Sequence, residues 1–177
     1  MPTARFPLRR LLVSAVFLAV VAGCADDPHA ALTAEEAPEQ PLPFNHTIHV
    51  QDNGIPCAYC HYSTQLTEEA GIPAVGTCMG CHRFVQGETP EFQQNIQLLM
   101  GFAADSTAIP WVRVYSVPSF VQFPHKPHIR AGVACGECHG DVASMEVVRR
   151  VSSLSMGWCV ECHRDEGAPD DCATCHF

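Results

Sequence analysis

The pattern Cys-X-X-Cys-His occurs five times in this chain, as Cys57-Cys60-His61, Cys78-Cys81-His82, Cys135-Cys138-His139, Cys159-Cys162-His163 and Cys172-Cys175-His176. Two thiols three residues apart can form thioether bonds to the two vinyl groups of one haem, and the adjacent His can turn its imidazole onto the iron. A lone Cys-X-X-Cys could equally be half a zinc site or a dithiol redox pair. Five copies, each with its His in place, point to five covalently attached haem c groups and to a chain that moves electrons. Such a chain has to fold around its cofactors. The expectation is therefore a mostly irregular structure with short α-helices at the attachment motifs, little β-structure and a core built around haem.

The cysteine count supports this. Of 11 Cys, the five motifs use ten, which leaves none to pair as disulfides, and the remaining one, Cys24, ends an N-terminal apolar stretch. That stretch begins with Arg5, Arg9 and Arg10, runs uncharged from Leu11 to Ala22, and closes on Val21-Ala22-Gly23-Cys24. It reads as an export signal over residues 1–23. The small residues before Cys24 resemble a bacterial lipobox, which would make Cys24 the lipidated first residue of the mature protein. The alternative is retention as a membrane anchor, although the run is shorter than the roughly 18 apolar residues usual for a spanning helix. Both readings put the haem-bearing part outside the cytoplasm, at the periplasmic face of the bacterial cytoplasmic membrane, where covalent haem attachment takes place.

Residues 24–43, with the run AEEAPEQPLP, read as an acidic, Pro- and Ala-rich tether with little to build a core. Loss of residues 1–23 removes three arginines and no acids, and so shifts the formal charge from −9 to −12. An acidic surface favours basic partners, or simply solubility, and Lys126 is the sole lysine. No basic face of the nucleic-acid-binding kind can be assembled from this composition, so nucleic acid is not an expected partner.

A second repeat underlies the first. Phe44-Asn45-His46-Thr47-Ile48-His49 returns as Phe123-Pro124-His125-Lys126-Pro127-His128, 79 residues later, and each copy precedes two attachment motifs. This divides the chain into a first module (44–82, two haems), a bridge (83–122) and a second module (123–177, three haems). In the bridge, Thr89 and Pro90 predict a helix start. Phe92, Ile96, Leu99 and Ala103 then follow helical spacing, and Gly101 loosens the end. The β-branched and aromatic run Ile109–Tyr115 is expected to be extended, either as a packing bridge or as a docking surface for a partner subunit.

The FxHxxH element ahead of CxxCH resembles the small cytochrome c7/c3 family, in which the first His is the distal ligand of the first haem and the second His reaches the next. Carried over by position, the resemblance pairs His46 with His61, His49 with His82, His125 with His139 and His128 with His163. With His176 as the fifth proximal ligand, this leaves only His29 of ten His, in the acidic tether and idle. The fifth haem, that of His176, then has no distal imidazole. In the c7 pattern a third distal ligand stands a few residues before the second motif, where this chain has Met156. Met145 is the rival, and an open or water-bound iron is a third possibility. Met79 and Met100 read as packing residues. A thioether favours ferrous iron more than an imidazole does, so a His/Met haem at His176 would have the highest potential of the five.

The combination of PWVRVYSVP, FVQFPHKPH, CGECHGDV, LSMGWCVECHR and a final CATCH resembles the pentahaem cytochrome subunit of alternative complex III, a membrane-bound quinol:electron-acceptor oxidoreductase. The resemblance runs from Phe44 to Phe177. It implies an electron relay without a catalytic site of its own, placed between an iron–sulfur subunit, alongside quinol-oxidising membrane subunits, and a cytochrome c or terminal oxidase. Two other classes were weighed. A free-standing, lipid-anchored carrier would not need the bridge, and a multihaem reductase would need an open axial position, whereas nine His and one Met fill all ten.

Overall fold

Short helices in this chain begin where a thiol motif begins. The computed structural model describes residues 31–32, 36–67 and 70–176. The segment read as an export signal, Cys24 and His29 lie outside the described residues. The first, third and fifth motifs form single turns that start at their first Cys: α1 (Cys57–Cys60), α5 (Cys135–His139) and α7 (Cys172–Cys175). The second and fourth lie on longer helices that start three residues earlier, α2 (Val75–His82) and α6 (Met156–Asp165). Two further helices are α3 (Pro90–Ala104) in the bridge and α4 (His125–Arg130), which carries the second FxHxxH histidines. The first copy of that element forms a π-helical turn, Thr47–Asp52. Tight 3₁₀ turns, Tyr62–Gln65 and Val142–Ser144, follow His61 and His139. Among the described residues there is no strand.

The helix starts follow from local chemistry. The Thr89 hydroxyl accepts from the Phe92 N–H at 3.2 Å with Pro90 in the first turn, as the sequence predicts. The Ser155 hydroxyl accepts from the Trp158 N–H at 3.4 Å, and Asp171 accepts from the Ala173 N–H at 3.1 Å and the Thr174 hydroxyl at 2.7 Å. Helix α3 continues through Gly101 to Ala104 and packs on α2, so the first half of the bridge belongs with the first module.

The protein core is small. Among the described residues its centre is Leu42, Leu99 and Ile109, against which Val75, Cys78, Met79, Phe102 and Trp111 pack. Met145 is buried separately. The motif helices α1, α5, α6 and α7 bury no residue fully. A chain with so few apolar contacts of its own suits one whose remaining core is a cofactor.

One expectation differs from the structure. The segment read as a tether ends as a structural strap, because Leu42 is only 6% exposed in the core and the Gln40 amide holds Val112 at both ends. The Gln40 side-chain N–H donates to the Val112 carbonyl at 3.0 Å, and its oxygen accepts from the Val112 N–H at 2.9 Å. The same pairing serves the bridge, where the run expected to be extended forms no helix. The run Ile109–Tyr115 has strand-like residues but no partner strand, so a side-chain amide satisfies Val112 where a ladder would have. Further along, the Tyr115 hydroxyl donates to the Arg149 carbonyl at 3.1 Å and accepts from the Val151 N–H at 3.2 Å, which ties the bridge to the second module.

Candidate haem sites

The first requirement of a covalent haem site is two thiols on one helical face, and i,i+3 spacing on a helical turn provides it at each motif. No disulfide involves any of the ten motif cysteines. Burial raises the pKa of Cys60, Cys78, Cys138 and Cys159. Neighbouring thiols add to this: Cys60 acts on Cys78, Cys162 and then Cys159 on Cys138, and Cys175 on Cys159.

The second requirement is an imidazole that presents Nε2 to the iron. A carbonyl can only accept, so an Nδ1 held against one must carry the proton, which leaves the lone pair on Nε2. His61 Nδ1 donates to Gly71 O at 3.1 Å and His82 Nδ1 to Val85 O at 3.1 Å. His163 Nδ1 donates to Pro169 O, and His176 Nδ1 to Phe120 O at 3.1 Å. The second His of each FxHxxH element does the same four residues back, His49 to Asn45 O at 2.8 Å and His128 to Pro124 O at 3.0 Å. These six imidazoles share one tautomer, the one a metal ligand needs.

The third requirement is a partner across the iron. Two metal–nitrogen bonds of about 2 Å, with about 1 Å more from each nitrogen to its ring centre, set axial imidazole centroids roughly 6 Å apart. The rings of His49 and His82 lie 5.9 Å apart, those of His128 and His163 5.9 Å, and those of His125 and His139 6.3 Å. His46 lies within electrostatic reach of His61. Its pKa is pushed down to about 4, first by burial and then by His61 and His49, so it is a neutral, lone-pair-bearing imidazole. Burial, then His125 and His61, likewise lowers His139. The structure thus sets three of the His pairs that the resemblance implied at this spacing and places His46 within electrostatic reach of His61, and the residues fit haem.

The fifth site is different. Phe120 stacks on the His176 ring, with centroids 5.8 Å apart. Met156 is 70% exposed at the first position of α6, one turn ahead of Cys159 and on the same helical face. Met145 is 6% exposed, and its backbone carbonyl accepts from the His46 N–H at 3.1 Å, which places the residue at the contact with the first module.

Sequence reasoning gave no role to four aromatic residues that the structure places against these histidines, Phe120 on His176 among them. Phe44 meets His46 edge-on at 4.8 Å and stacks on His49 at 4.3 Å. Phe123 repeats the arrangement with His125 at 5.0 Å and His128 at 4.7 Å. The recurrence of Phe at both copies of the repeat was the available signal. Tyr115, edge-on to His139 at 4.5 Å, had none.

Residues 121–177 match the family described as cytochrome c7 and related cytochrome c. The chain has the fold class of a multihaem c-type cytochrome, with a cytochrome c7-like domain at residues 121–177. A domain of this family implies covalently bound haem c, and the helix-and-loop architecture is that of the small multihaem proteins. The chain is also similar to the multiheme cytochrome c subunit of the menaquinone reductase of Nitratidesulfovibrio vulgaris. The two are 26% identical over an alignment that covers 78% of this chain and 77% of the relative. No helix among the described residues of the cytochrome is long and apolar enough to cross a membrane.

Proposed function

We propose that the cytochrome is the five-haem relay subunit of a membrane-bound, menaquinol-linked respiratory complex. In this reading it passes electrons from an iron–sulfur subunit to a cytochrome c or terminal oxidase, held at the periplasmic face by lipid on Cys24. The observation that carries it is the similarity, across most of both chains, to a subunit of a menaquinone-linked complex. The site geometry supports a relay, since three His pairs stand at the spacing of paired axial ligands and His46 lies near His61, so haem held between them would have no position open to a substrate.

Bound haem c supplies a one-electron iron couple. The chain does the rest. Its ten motif thiols would fix the rings covalently and nine imidazoles would hold the iron positions, while backbone carbonyls on Nδ1 of six of them fix tautomer and ring orientation and would raise ligand basicity. Met156 is our assignment for the remaining position, opposite His176. The relative is named for menaquinone reduction, which favours a second reading in which electrons run toward the quinone. A relay without catalytic groups permits either direction, and the potentials of its partners decide.

The test starts from native membranes solubilised in mild detergent and separated on a native gel stained for haem, with mass spectrometry of the band. The expected result is this chain in a large assembly with iron–sulfur and polytopic membrane subunits, with haem reduction on addition of a menaquinol analogue. Migration alone, near its own mass, would refute the subunit reading. Oxidation of pre-reduced haem by menaquinone, without reduction by menaquinol, would establish the reverse direction.

A further inference from the structure

The two modules pair as a symmetric dimer would, although they belong to one chain. The π-helical turn Thr47–Asp52, which carries His49 of the first module, packs against the 3₁₀ turn Val142–Ser144 that follows His139 of the second. Reciprocally, α4, which carries His125 and His128 of the second module, packs against the 3₁₀ turn Tyr62–Gln65 that follows His61 of the first. The 79-residue offset of the repeat maps each member of one contact closely onto its counterpart in the other. Element i meets j′ and i′ meets j, which is the signature of an isologous, two-fold interface. The His46 N–H donating to the Met145 carbonyl at 3.1 Å lies in this contact.

Such pairing brings the first site of each module to the pseudo-two-fold axis and leaves the second sites outside. Within each module one Phe spans both distal histidines, Phe44 over His46 and His49, Phe123 over His125 and His128, so first and second sites are adjacent. Beyond the second module, the segment that carries Phe123 also holds the fifth motif. The Gln122 N–H donates to the Cys175 carbonyl at 2.8 Å, and Phe120 covers His176.

We propose that electrons cross between modules from the His61 haem to the His139 haem, so that the sites run in space as His82, His61, His139, His163, His176, with the His82 site forming one end. The first two sites thus exchange their order along the chain. The thiols and imidazoles that sense one another electrostatically fall in the same succession. This deepens the relay reading and rests on it only for the presence of five haems.

The test uses the full-length holoprotein isolated from its partners, with haem midpoints resolved individually by NMR-monitored or EPR-monitored redox titration. His49→Met should raise the potential of the His82 haem and shift only that of the His61 haem with it. His46→Met should raise the His61 haem and shift both the His82 and His139 haems, because charge coupling falls off steeply with distance. A shift of the His139 haem in the His49→Met protein, with none in the His46→Met protein, would overturn the order. In the unaltered protein, nuclear Overhauser contacts should join substituents of the haems on Cys57/Cys60 and Cys135/Cys138. Contacts joining those on Cys78/Cys81 and Cys135/Cys138 instead would overturn it without any variant. Fewer than five haems would refute the five-haem reading, whereas five in another order would refute the crossing alone.

Discussion

Truncating Leu42 tests whether the end of the acidic N-terminal segment is part of the fold. Leu42→Ala removes side-chain carbons from a position only 6% exposed, packed with Leu99 and Ile109. At about 0.8 kcal/mol per buried methylene, the transfer loss is roughly 2 kcal/mol, and a partly relaxing cavity raises the total to about 2–4 kcal/mol. The lower half of that range is favoured because Val75 and Trp111, which pack at the edge of the cluster, are only half-buried and can move inward. Guanidinium unfolding of the holoprotein in one fixed redox state, followed by far-UV circular dichroism and the Soret band, measures it. A thermal scan should show a drop of roughly 5–12 °C for a chain of this size. Gln40→Ala is the control, since two solvent-exposed hydrogen bonds to Val112 should cost only about 0.5–1.5 kcal/mol. A Leu42→Ala loss below about 0.5 kcal/mol, typical of a surface change, would mean that the segment is a tether and that the strap does not exist in solution.

Tyr115→Phe should cost about 1–3 kcal/mol, because it strips a partner from both the Arg149 carbonyl and the Val151 N–H. Burial holds the Tyr115 pKa above its usual value of 10, so its contribution is complete below about pH 10 and is lost as pH rises through the folded value. The alkaline limb of a stability–pH curve should therefore flatten in the Phe variant, and an unchanged limb would remove Tyr115 as its source. Gly140 follows His139 with φ +66° and ψ −164°, a region nearly exclusive to glycine, and a Cβ there would lie 2.8 Å from Val151 Cγ2. Gly140→Ala should cost about 2–3 kcal/mol and disturb the His139 site first, visible as a change in one low-spin EPR signal. Met156→His should lower a single haem potential, that of His176, in a potentiometric titration; five unchanged potentials would show that Met156 is not a ligand.

The sequence by itself determined the cofactor chemistry and the division into modules. The thiol spacing and adjacent His are local requirements of covalent attachment, so five motifs are readable without a fold. The Thr89-Pro90 helix start was readable for the same reason, because capping involves neighbours in the chain. The His pairing was suggested by the resemblance of the FxHxxH element to cytochrome c7, which the repeat carries onto both modules. The rest depended on residues distant in sequence. Leu42 sits in a stretch whose composition argues for a tether, and only contact with Leu99 and Ile109 makes it core. The strand-like run Ile109–Tyr115 gained no strand because its neighbour in space is the Gln40 amide. Tyr115 reaches His139 and Arg149 across long separations that no periodicity records. The way the two modules dock is likewise absent from the repeat, since a repeat fixes each module's internal geometry but is silent on the face by which two copies meet. That choice belongs to surface complementarity between the π-helical turn and α4 on one side and the 3₁₀ turns on the other, and it sets which haem sites become neighbours.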